Sequence, residues 1–279
     1  MKGFGRSHGS ITVINAMPCG IGSTIGIDLE TTCTFIPEGE GRTVTIMNDV
    51  SEDDRLSRIC VRRAYETMGM EEPENWSIST DSQIPVSRGL KSSSAASNAI
   101  IRSVFDCNGF NMDAVDLIRL GVNCAREAGV TVTGAFDDAC GCGLGGLVLT
   151  DNTRDELLES KDIGDYDVVI HVPVLKIRKK GLPLDELRAT APQIRKAVDI
   201  AMERPFEAMT INGRIISAVS DVDNSLAERA LESGALGAGM SGTGPAVAIV
   251  AERNDGRRIA EELEMKPEET IITRTRCGQ

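Results

Sequence analysis

A loop rich in glycine and serine leads into a predicted helix at residues 85–98, and its residue types suit the binding of a phosphate group. Gly89 precedes three consecutive serines, and Lys91 adds a positive charge beside them. The first backbone N–H groups of a helix have no partner within the helix, so they attract an anion together with nearby hydroxyls. No Gly-Lys dipeptide occurs in the chain, which excludes the Walker-type P-loop pattern. A flexible loop with a serine N-cap is the structural alternative.

Two adjacent carboxylates, Asp137 and Asp138, lie in a second segment of small residues at 131–146. Small residues let a ligand approach the backbone closely. In a strand the two carboxylates would point to opposite faces, whereas in a turn one could cap the backbone while the other faced a ligand. A purely structural turn is equally consistent with this segment alone.

A third segment, 236–249, carries four glycines at alternate or near-alternate positions directly before an apolar run. Glycines in such a loop allow backbone amides to reach an anion that bulky side chains would keep away. Taken alone, this pattern is equally typical of a tight turn.

The segments that must hold these residues in place alternate between strand and helix patterns. Runs of β-branched and apolar residues predict strands at 10–15, 42–47, 146–150, 166–174 and 246–251. Apolar residues at helical spacing predict helices at 51–68, with Ser51 as N-cap, and at 93–105, 112–128, 183–202 and 214–232. This mixture indicates an α/β or α+β fold. A polar stretch near 150–164 predicts a boundary between lobes at 1–150 and 151–279.

The composition limits the classes of partner. The 279 residues carry 30 Lys plus Arg and 42 Asp plus Glu, and this net charge of −12 argues against a nucleic-acid binder held by bulk charge. No apolar run reaches the roughly 18 residues of a membrane span, and the N-terminus lacks a secretory apolar run, so we expect a cytoplasmic protein with no membrane partner. With two histidines and no CxxC pair, the eight cysteines are predicted to be reduced thiols.

Together, in this order and at this spacing, the three segments resemble the motifs of the GHMP kinase superfamily. The family pattern Pro-x-x-x-Gly-Leu-x-Ser-Ser-x-Ala matches 85–95, with Lys91 where a glycine is usual. One branch, the archaeal shikimate kinases, is similar in the triple serine with this lysine and in FDDAC at 136–140, HVPVLKIRKK at 171–180, INGR at 211–214 and SGTGPAVAIV at 241–250. The resemblance extends from 10–28, the equivalent of the first motif, to the C-terminal strand.

The resemblance implies a two-lobed GHMP kinase fold, with mixed sheets packed against helices, that transfers the γ-phosphoryl group of ATP to the 3-hydroxyl of shikimate. It implies ATP and Mg²⁺ as cofactors. By the same resemblance, Ser93 contacts the Mg²⁺ ion, and Glu127, ten residues before Asp137, is a second candidate metal ligand. The predicted ATP-binding residues are Pro85, Val86, Ser87, Arg88, Gly89, Leu90, Lys91, Ser92, Ser93, Ser94 and Ala95.

Asp137 aligns with the family aspartate that begins an Asp-Asn-Ala stretch before a glycine pair, which implies a catalytic role for it and a structural role for Asp138. An aspartate there would accept the proton of the attacking hydroxyl or stabilise the charge around the transferring phosphoryl group. Gly242, Thr243 and Gly244 align with the family loop that closes near the phosphates and the substrate.

Shikimate carries a carboxylate, so its pocket needs an arginine or a lysine. Lys176 and Arg178 belong to the densest basic run of the chain, and Arg274 lies near the C-terminus; any of these is a candidate. A solvated basic turn is the alternative for 176–180.

Other functions are kept as alternatives. Homoserine or mevalonate kinase activity differs only in the acceptor alcohol. A catalytically silent GHMP-fold sensor would bind ATP without turnover, although the presence of Asp137 and Ser93 argues against it. A Rossmann dehydrogenase is disfavoured, because no GxGxxG follows a strand and opens a helix. The sequence leaves the oligomeric state open, a homodimer included.

Overall fold

The structure is a computed structural model that describes residues 2–47, 53–86, 88–131, 134–173 and 183–278. Its strands and helices follow one another in this order: β1 (Gly3–Ile14), β2 (Ile21–Ile36), β3 (Arg42–Ile46), α1 (Arg55–Met68), β4 (Trp76–Ser82), α2 (Ser92–Cys107), α3 (Ala114–Ala128), α4 (Phe136–Leu144), β5 (Leu147–Asp151), β6 (Glu156–Lys161), β7 (Asp167–His171), α5 (Leu184–Ala189), α6 (Ala191–Ala201), α7 (Pro205–Ser220), α8 (Ser225–Glu232), β8 (Gly237–Met240), β9 (Val247–Ala251), α9 (Gly256–Glu262) and β10 (Thr270–Arg274).

The first sheet has six strands in the order β3-β4-β2-β5-β6, with β1 paired to β2 outside this path. Its pairings are antiparallel except that of β3 with β4. Helix α2 lies unusually close to β1, because a Cβ atom on Gly5 would overlap the carbonyl oxygen of Ala99. This packing sets the direction of α2, whose N-terminal end carries the serines predicted to bind phosphate.

The second sheet has four antiparallel strands in the order β10-β7-β9-β8. Helix α7 packs on β8, where Gly213 meets Gly239 backbone to backbone. One apolar cluster joins the two sheets, since it contains Ile11 and Ile25 from the first and Ile170 from the second. The first sheet extends to Lys161 in β6, and the proposed lobes 1–150 and 151–279 stay a prediction.

The predicted class, α/β with mixed sheets packed against helices, is confirmed. Each predicted strand overlaps an observed strand, and the predicted helices 93–105 and 112–128 correspond to α2 and α3. The prediction of Ser51 as the first N-cap is wrong: α1 begins at Arg55 with Asp54 at its N-cap, and Ser51 lies outside the described residues. Among the described residues, no helix is long and apolar enough to cross a bilayer.

Two predicted helices are each divided in two. The segment 183–202 forms α5 and α6, which meet at Thr190. Pro192 accounts for this break, because proline has no N–H and its ring clashes with the preceding turn. The segment 214–232 is also wrong as a single helix: α7 begins earlier, at Pro205, and ends at Ser220, where Asp221 adopts a positive φ of 51°.

Candidate active site

A cleft of about 360 Å³ brings the three predicted segments together. Ser92 from the first segment, Asp138 from the second and Gly242 from the third all line it. They meet because α2 and α4 both begin at this cleft and the β8–β9 loop is tied to the entry of α2. That tie is a hydrogen bond of 2.9 Å from the Ser241 hydroxyl to the carbonyl oxygen of Gly89.

The N-terminus of α2 has no side-chain cap and opens into the cleft. Its N-cap residue is Lys91, with a left-handed backbone at φ 69° and ψ 31°, and Gly89 two residues earlier also has a positive φ of 86°. Ser92, Ser93 and Ser94 line the cleft in the first turn. Unsatisfied N–H groups, three hydroxyls and the positive end of the helix dipole together favour an anion.

Most of the other described residues of this loop contact the protein outside the cleft. Val86 lines the cleft, while Leu90 and Ala95 are fully buried and anchor the loop in the core. Arg88 donates a hydrogen bond to the carbonyl oxygen of Pro173. Pro173, the last described residue before 174–182, therefore lies beside the phosphate loop.

The two carboxylates lie in the first turn of α4, which begins at Phe136. The segment forms a helix, so the strand and the turn considered from the sequence are both wrong. The helix could not be recognised from the sequence, because α4 is rich in glycine and cysteine and lacks apolar periodicity. Tertiary contacts hold it, including a hydrogen bond of 2.8 Å from the Thr24 hydroxyl to the carbonyl oxygen of Asp137.

Asp137 lines the cleft, but its carboxylate is directed towards Asn152 and Gly22. Its side chain is buried, Oδ1 accepts a hydrogen bond of 2.6 Å from Nδ2 of Asn152, and a Cβ atom on Gly22 would lie 2.5 Å from Oδ2. Burial, followed by the nearby charge of Asp138, raises the pKa of Asp137 to about 7, although Lys91 and Asn152 oppose this shift. Near neutral pH, Asp137 therefore carries a proton for much of the time.

Asp138 faces Lys91. Its Oδ1 lies 2.8 Å from the Lys91 ammonium, and the two side chains are 20% and 5% exposed. The same ammonium donates a hydrogen bond of 2.9 Å to the hydroxyl of Thr12 on β1. Lys91 occupies a left-handed position where glycine is the usual residue of the resembled pattern, at a backbone cost of roughly 1–2 kcal/mol. A lysine at this position forms the half-buried ion pair with Asp138, which a glycine could not form.

These surroundings favour Asp138 over Asp137 as the carboxylate that meets a reactant. Asp138 has an oppositely charged partner and the greater exposure. The Asp137 carboxylate, in contrast, accepts a hydrogen bond from Asn152 and packs closely against Gly22. The catalytic role of Asp137 and the structural role of Asp138 stay predictions, and the geometry favours the reverse assignment.

The third segment contributes Gly242, Thr243 and Gly244 to the cleft wall. Gly242 has a positive φ of 62°, and its carbonyl oxygen accepts a hydrogen bond of 3.0 Å from Nδ2 of Asn15. Its amide donates one of 2.8 Å to Thr12. A side chain at this position would be strained by the backbone and would press on Lys91, since a Cβ atom would lie 2.9 Å from Nζ.

We expect Gly242→Val to abolish most turnover and to weaken the binding of both substrates, because the branched side chain would displace the loop and the Lys91 ammonium. Nucleotide binding by calorimetry and turnover by ADP release check this expectation. Gly109→Ala is the matched control, because it also has a positive φ but has open space around it and does not line the cleft. Unchanged affinity and turnover in Gly242→Val would remove the loop from the site.

Several predicted residues are not found in the cleft wall. Pro85 and Arg88 do not line it, and Arg274 is an exposed residue at the end of the edge strand β10. Glu127 at the end of α3 is 43% exposed and forms ion pairs with Arg62 and Arg63. Its carboxylate would have to leave these arginines to reach a metal, so the assignment of Glu127 stays a prediction. Ser87, Lys176 and Arg178 lie outside the described residues.

A magnesium ion would find oxygen donors in the cleft, namely the Ser93 hydroxyl and the two α4 carboxylates. In the described part of the chain, no three His, Cys, Asp or Glu side chains cluster closely enough to hold a metal. This donor set fits an ion that is bound partly by nucleotide phosphates, as Mg²⁺ commonly is.

Sequence reasoning missed four polar residues that organise the site. Thr12 and Asn15 lie at the end of β1, Asn152 supports Asp137, and Asn212 on α7 accepts a hydrogen bond of 2.9 Å from the amide of Asn15. A usable signal existed for the first two, because polar residues that end an apolar strand before a turn often face a ligand. The roles of the two others depend on tertiary contacts.

Comparison with known proteins adds independent information. Residues 56–146 match the family model "GHMP kinases N terminal domain", and residues 194–267 match "GHMP kinases C terminal". A protein of Pyrococcus furiosus named shikimate kinase is 36% identical over 279 residues, covering 99% of this chain and 100% of the relative. The shikimate kinase of Methanosarcina mazei is 36% identical over 262 residues, covering 93% of this chain and 88% of the relative.

Solved structures share the fold at low sequence identity. Methanococcus jannaschii mevalonate kinase has a TM-score of 0.79 at 15% identity, covering 99% of this chain and 98% of that chain. Lactococcus lactis galactokinase, complexed with galactose, has a TM-score of 0.77 at 15% identity, covering 100% and 94%. These likenesses concern the fold alone.

Proposed function

This chain belongs to the GHMP kinase family, and we propose that it transfers the γ-phosphoryl group of ATP to the 3-hydroxyl group of shikimate. It is an ATP-dependent kinase with a small-molecule acceptor. The identity to archaeal shikimate kinases over nearly the whole chain supports the choice of acceptor.

The observation that carries the proposal is the uncapped N-terminus of α2 beside Lys91 in a cleft that also holds a carboxylate pair. Phosphoryl transfer requires positioning and charge stabilisation more than covalent chemistry. The α2 amides and the Ser92–Ser94 hydroxyls would hold the phosphates. The Gly242–Gly244 loop would close the cleft over them. This arrangement lets an acidic protein bind an anionic nucleotide by local contacts.

Asp138 is the proposed acceptor of the proton from the attacking hydroxyl. Its pairing with Lys91 fixes its direction, and the ammonium would also oppose the negative charge of the transferring group. Asp137, protonated for much of the time near neutral pH, would support α4 through Asn152. Magnesium, when bound, would neutralise phosphate charge; Ser93 and Asp138 are its proposed protein contacts, with Glu127 a further candidate.

The cation for the shikimate carboxylate is proposed to come from Lys176 or Arg178. Lys91 is the only basic side chain in the cleft wall among the described residues, and its ammonium already contacts Asp138 and Thr12. The hydrogen bond from Arg88 to Pro173 brings the chain beside the phosphate loop just before these residues. Arg274 is the weaker candidate, since it lies on an edge strand and outside the cleft wall.

A coupled assay of ADP release from ATP and Mg²⁺, run separately with shikimate, homoserine and mevalonate, tests the acceptor. We expect turnover well above the rate without acceptor for shikimate alone. Turnover only on homoserine or mevalonate would overturn the choice of acceptor. ATP binding without turnover on any of the three would favour the silent sensor instead. A homodimer stays a prediction that this assay does not address.

A further inference from the structure

Thr12 joins two segments of the cleft that are distant in sequence. It lies near the end of β1, lines the cleft and is 2% exposed. Its Oγ1 accepts a hydrogen bond of 2.9 Å from the Lys91 ammonium and another of 2.8 Å from the amide of Gly242. One oxygen atom therefore holds both the lysine of the phosphate loop and the first glycine of the β8–β9 loop.

The two hydrogen bonds that Thr12 accepts use the full acceptor capacity of its hydroxyl. A threonine oxygen has two acceptor lone pairs and one proton, and Lys91 and Gly242 occupy both lone pairs. The hydroxyl proton must then be donated elsewhere, and among the described residues the Thr12 hydroxyl has no protein acceptor, since only the Thr12 backbone amide donates a hydrogen bond, to Ser241. Because Thr12 lines the cleft, a bound oxygen atom in the cleft is the natural acceptor.

The contacts of Lys91 show what depends on this oxygen. An ammonium group has three N–H bonds; one points to Asp138 and one to Thr12, which leaves the third for a ligand. The pairing with Asp138 alone leaves the ammonium free to rotate about one contact. The β8–β9 loop, in contrast, keeps the hydrogen bond from Asn15 to the Gly242 carbonyl oxygen if the Thr12 hydroxyl is lost. Loss of the hydroxyl should therefore disturb the direction of the lysine more than the stability of the fold.

We propose that Thr12 is a positioning residue for phosphoryl transfer, whose hydroxyl couples the Lys91 ammonium to the closure of the Gly242 loop. The proposal rests on the proposed kinase function and adds the group that orients its lysine. It makes the loop and the lysine one unit, so that the ammonium is correctly directed only when the loop lies against Thr12.

The first test compares Thr12→Val, which keeps the shape and removes the hydroxyl, with Thr12→Ser, which keeps the hydroxyl. We expect Thr12→Val to lower kcat by about 10- to 100-fold, the range for losing a hydrogen bond to a charged group, with a smaller change in KM. Thr12→Ser should keep most of the turnover. Thr31→Val is the matched control, because Thr31 is also buried and hydrogen-bonded, at 2.7 Å to Ser82, but lies outside the cleft wall.

Equal kcat losses in Thr12→Val and Thr31→Val would overturn the proposal, as would a Thr12→Ser variant as slow as Thr12→Val. Thr12→Val should also have little further effect in a Lys91→Met background, whereas a full additional loss there would mean that the two residues act separately.

A second readout does not depend on the acceptor. The rate at which an acylating reagent modifies Lys91, followed by mass spectrometry, should rise in Thr12→Val because the ammonium loses one of its two contacts. Faster acylation in a protein that phosphorylates none of the tested alcohols would support the coupling and contradict only the proposed function. An unchanged acylation rate would overturn the coupling whatever the substrate is.

Discussion

Asp138→Asn is expected to lower kcat for shikimate phosphorylation by about 10²- to 10⁴-fold, because an amide neither accepts the hydroxyl proton nor balances the Lys91 charge. The KM for ATP should change much less, since the α2 amides and serines that would hold the phosphates remain in place. Steady-state ADP release at varied ATP and shikimate separates these two effects.

Asp137→Asn provides the matched control, one residue earlier in the same helical turn. We expect a loss of kcat below about tenfold, because Asn can still accept the hydrogen bond from Asn152.

The thermal stability of Asp137→Asn gives a second measurement. The pKa of Asp137 is about 7 in the folded chain against an ordinary 3.8, so the unfolded chain releases this proton first as the pH rises. The contribution of Asp137 to the free energy of unfolding therefore falls as the pH rises from 4 to 7, because the folded chain then holds a buried charge. Asp137→Asn removes this charge, so it should raise Tm more at pH 8 than at pH 4.

The two variants distinguish the two assignments of the catalytic carboxylate. A large loss in Asp137→Asn together with near-normal kcat in Asp138→Asn would restore the assignment made from the family motif. Comparable large losses in both would show that the carboxylates act as a pair, contrary to the separate roles proposed for them.

The second large effect is expected at Lys91. Lys91→Met should lower kcat by about 10²- to 10³-fold, the usual range for removing one charge-stabilising donor. Lys91→Gly should lose as much activity, because it also lacks the ammonium. The two variants should differ in stability: glycine adopts φ 69° freely, so Lys91→Gly is expected to melt at a higher temperature than Lys91→Met.

Thermal melting and ADP release on both variants check these expectations. If Lys91→Gly kept normal turnover, the ammonium would have no part in catalysis and the lysine would be only a structural partner of Asp138. If Lys91→Met melted higher than Lys91→Gly, the left-handed backbone would not be a cost at this position.

The segments of the site could be predicted from the sequence because each carries a local signal. A glycine and three serines before a helical pattern indicate a helix N-terminus with free N–H groups, and α2 begins at Ser92, one residue before the predicted start. The glycines at 242 and 244 likewise indicated a loop, and both have positive φ.

The meeting of Lys91, Asp138 and Thr12 could not be predicted, because it depends on how α2, α4 and β1 pack. Helix α4 has no apolar periodicity, and β2 is 16 residues long with many small and polar residues, so neither had a pattern to identify it. Without α4, the sequence could not show that Asp137 is buried and that Asp138 faces the lysine.

The central claim is that this chain phosphorylates the 3-hydroxyl of shikimate, and the most direct test follows the product itself. Purified protein with ATP, Mg²⁺ and shikimate should yield one phosphate ester per ADP released, and ³¹P–¹H correlation should place the phosphorus on the oxygen of carbon 3. The ester should form about 10²- to 10⁴-fold more slowly when Asp138→Asn replaces the wild-type chain. ADP release without a shikimate ester, or an ester on a different hydroxyl, would contradict the claim.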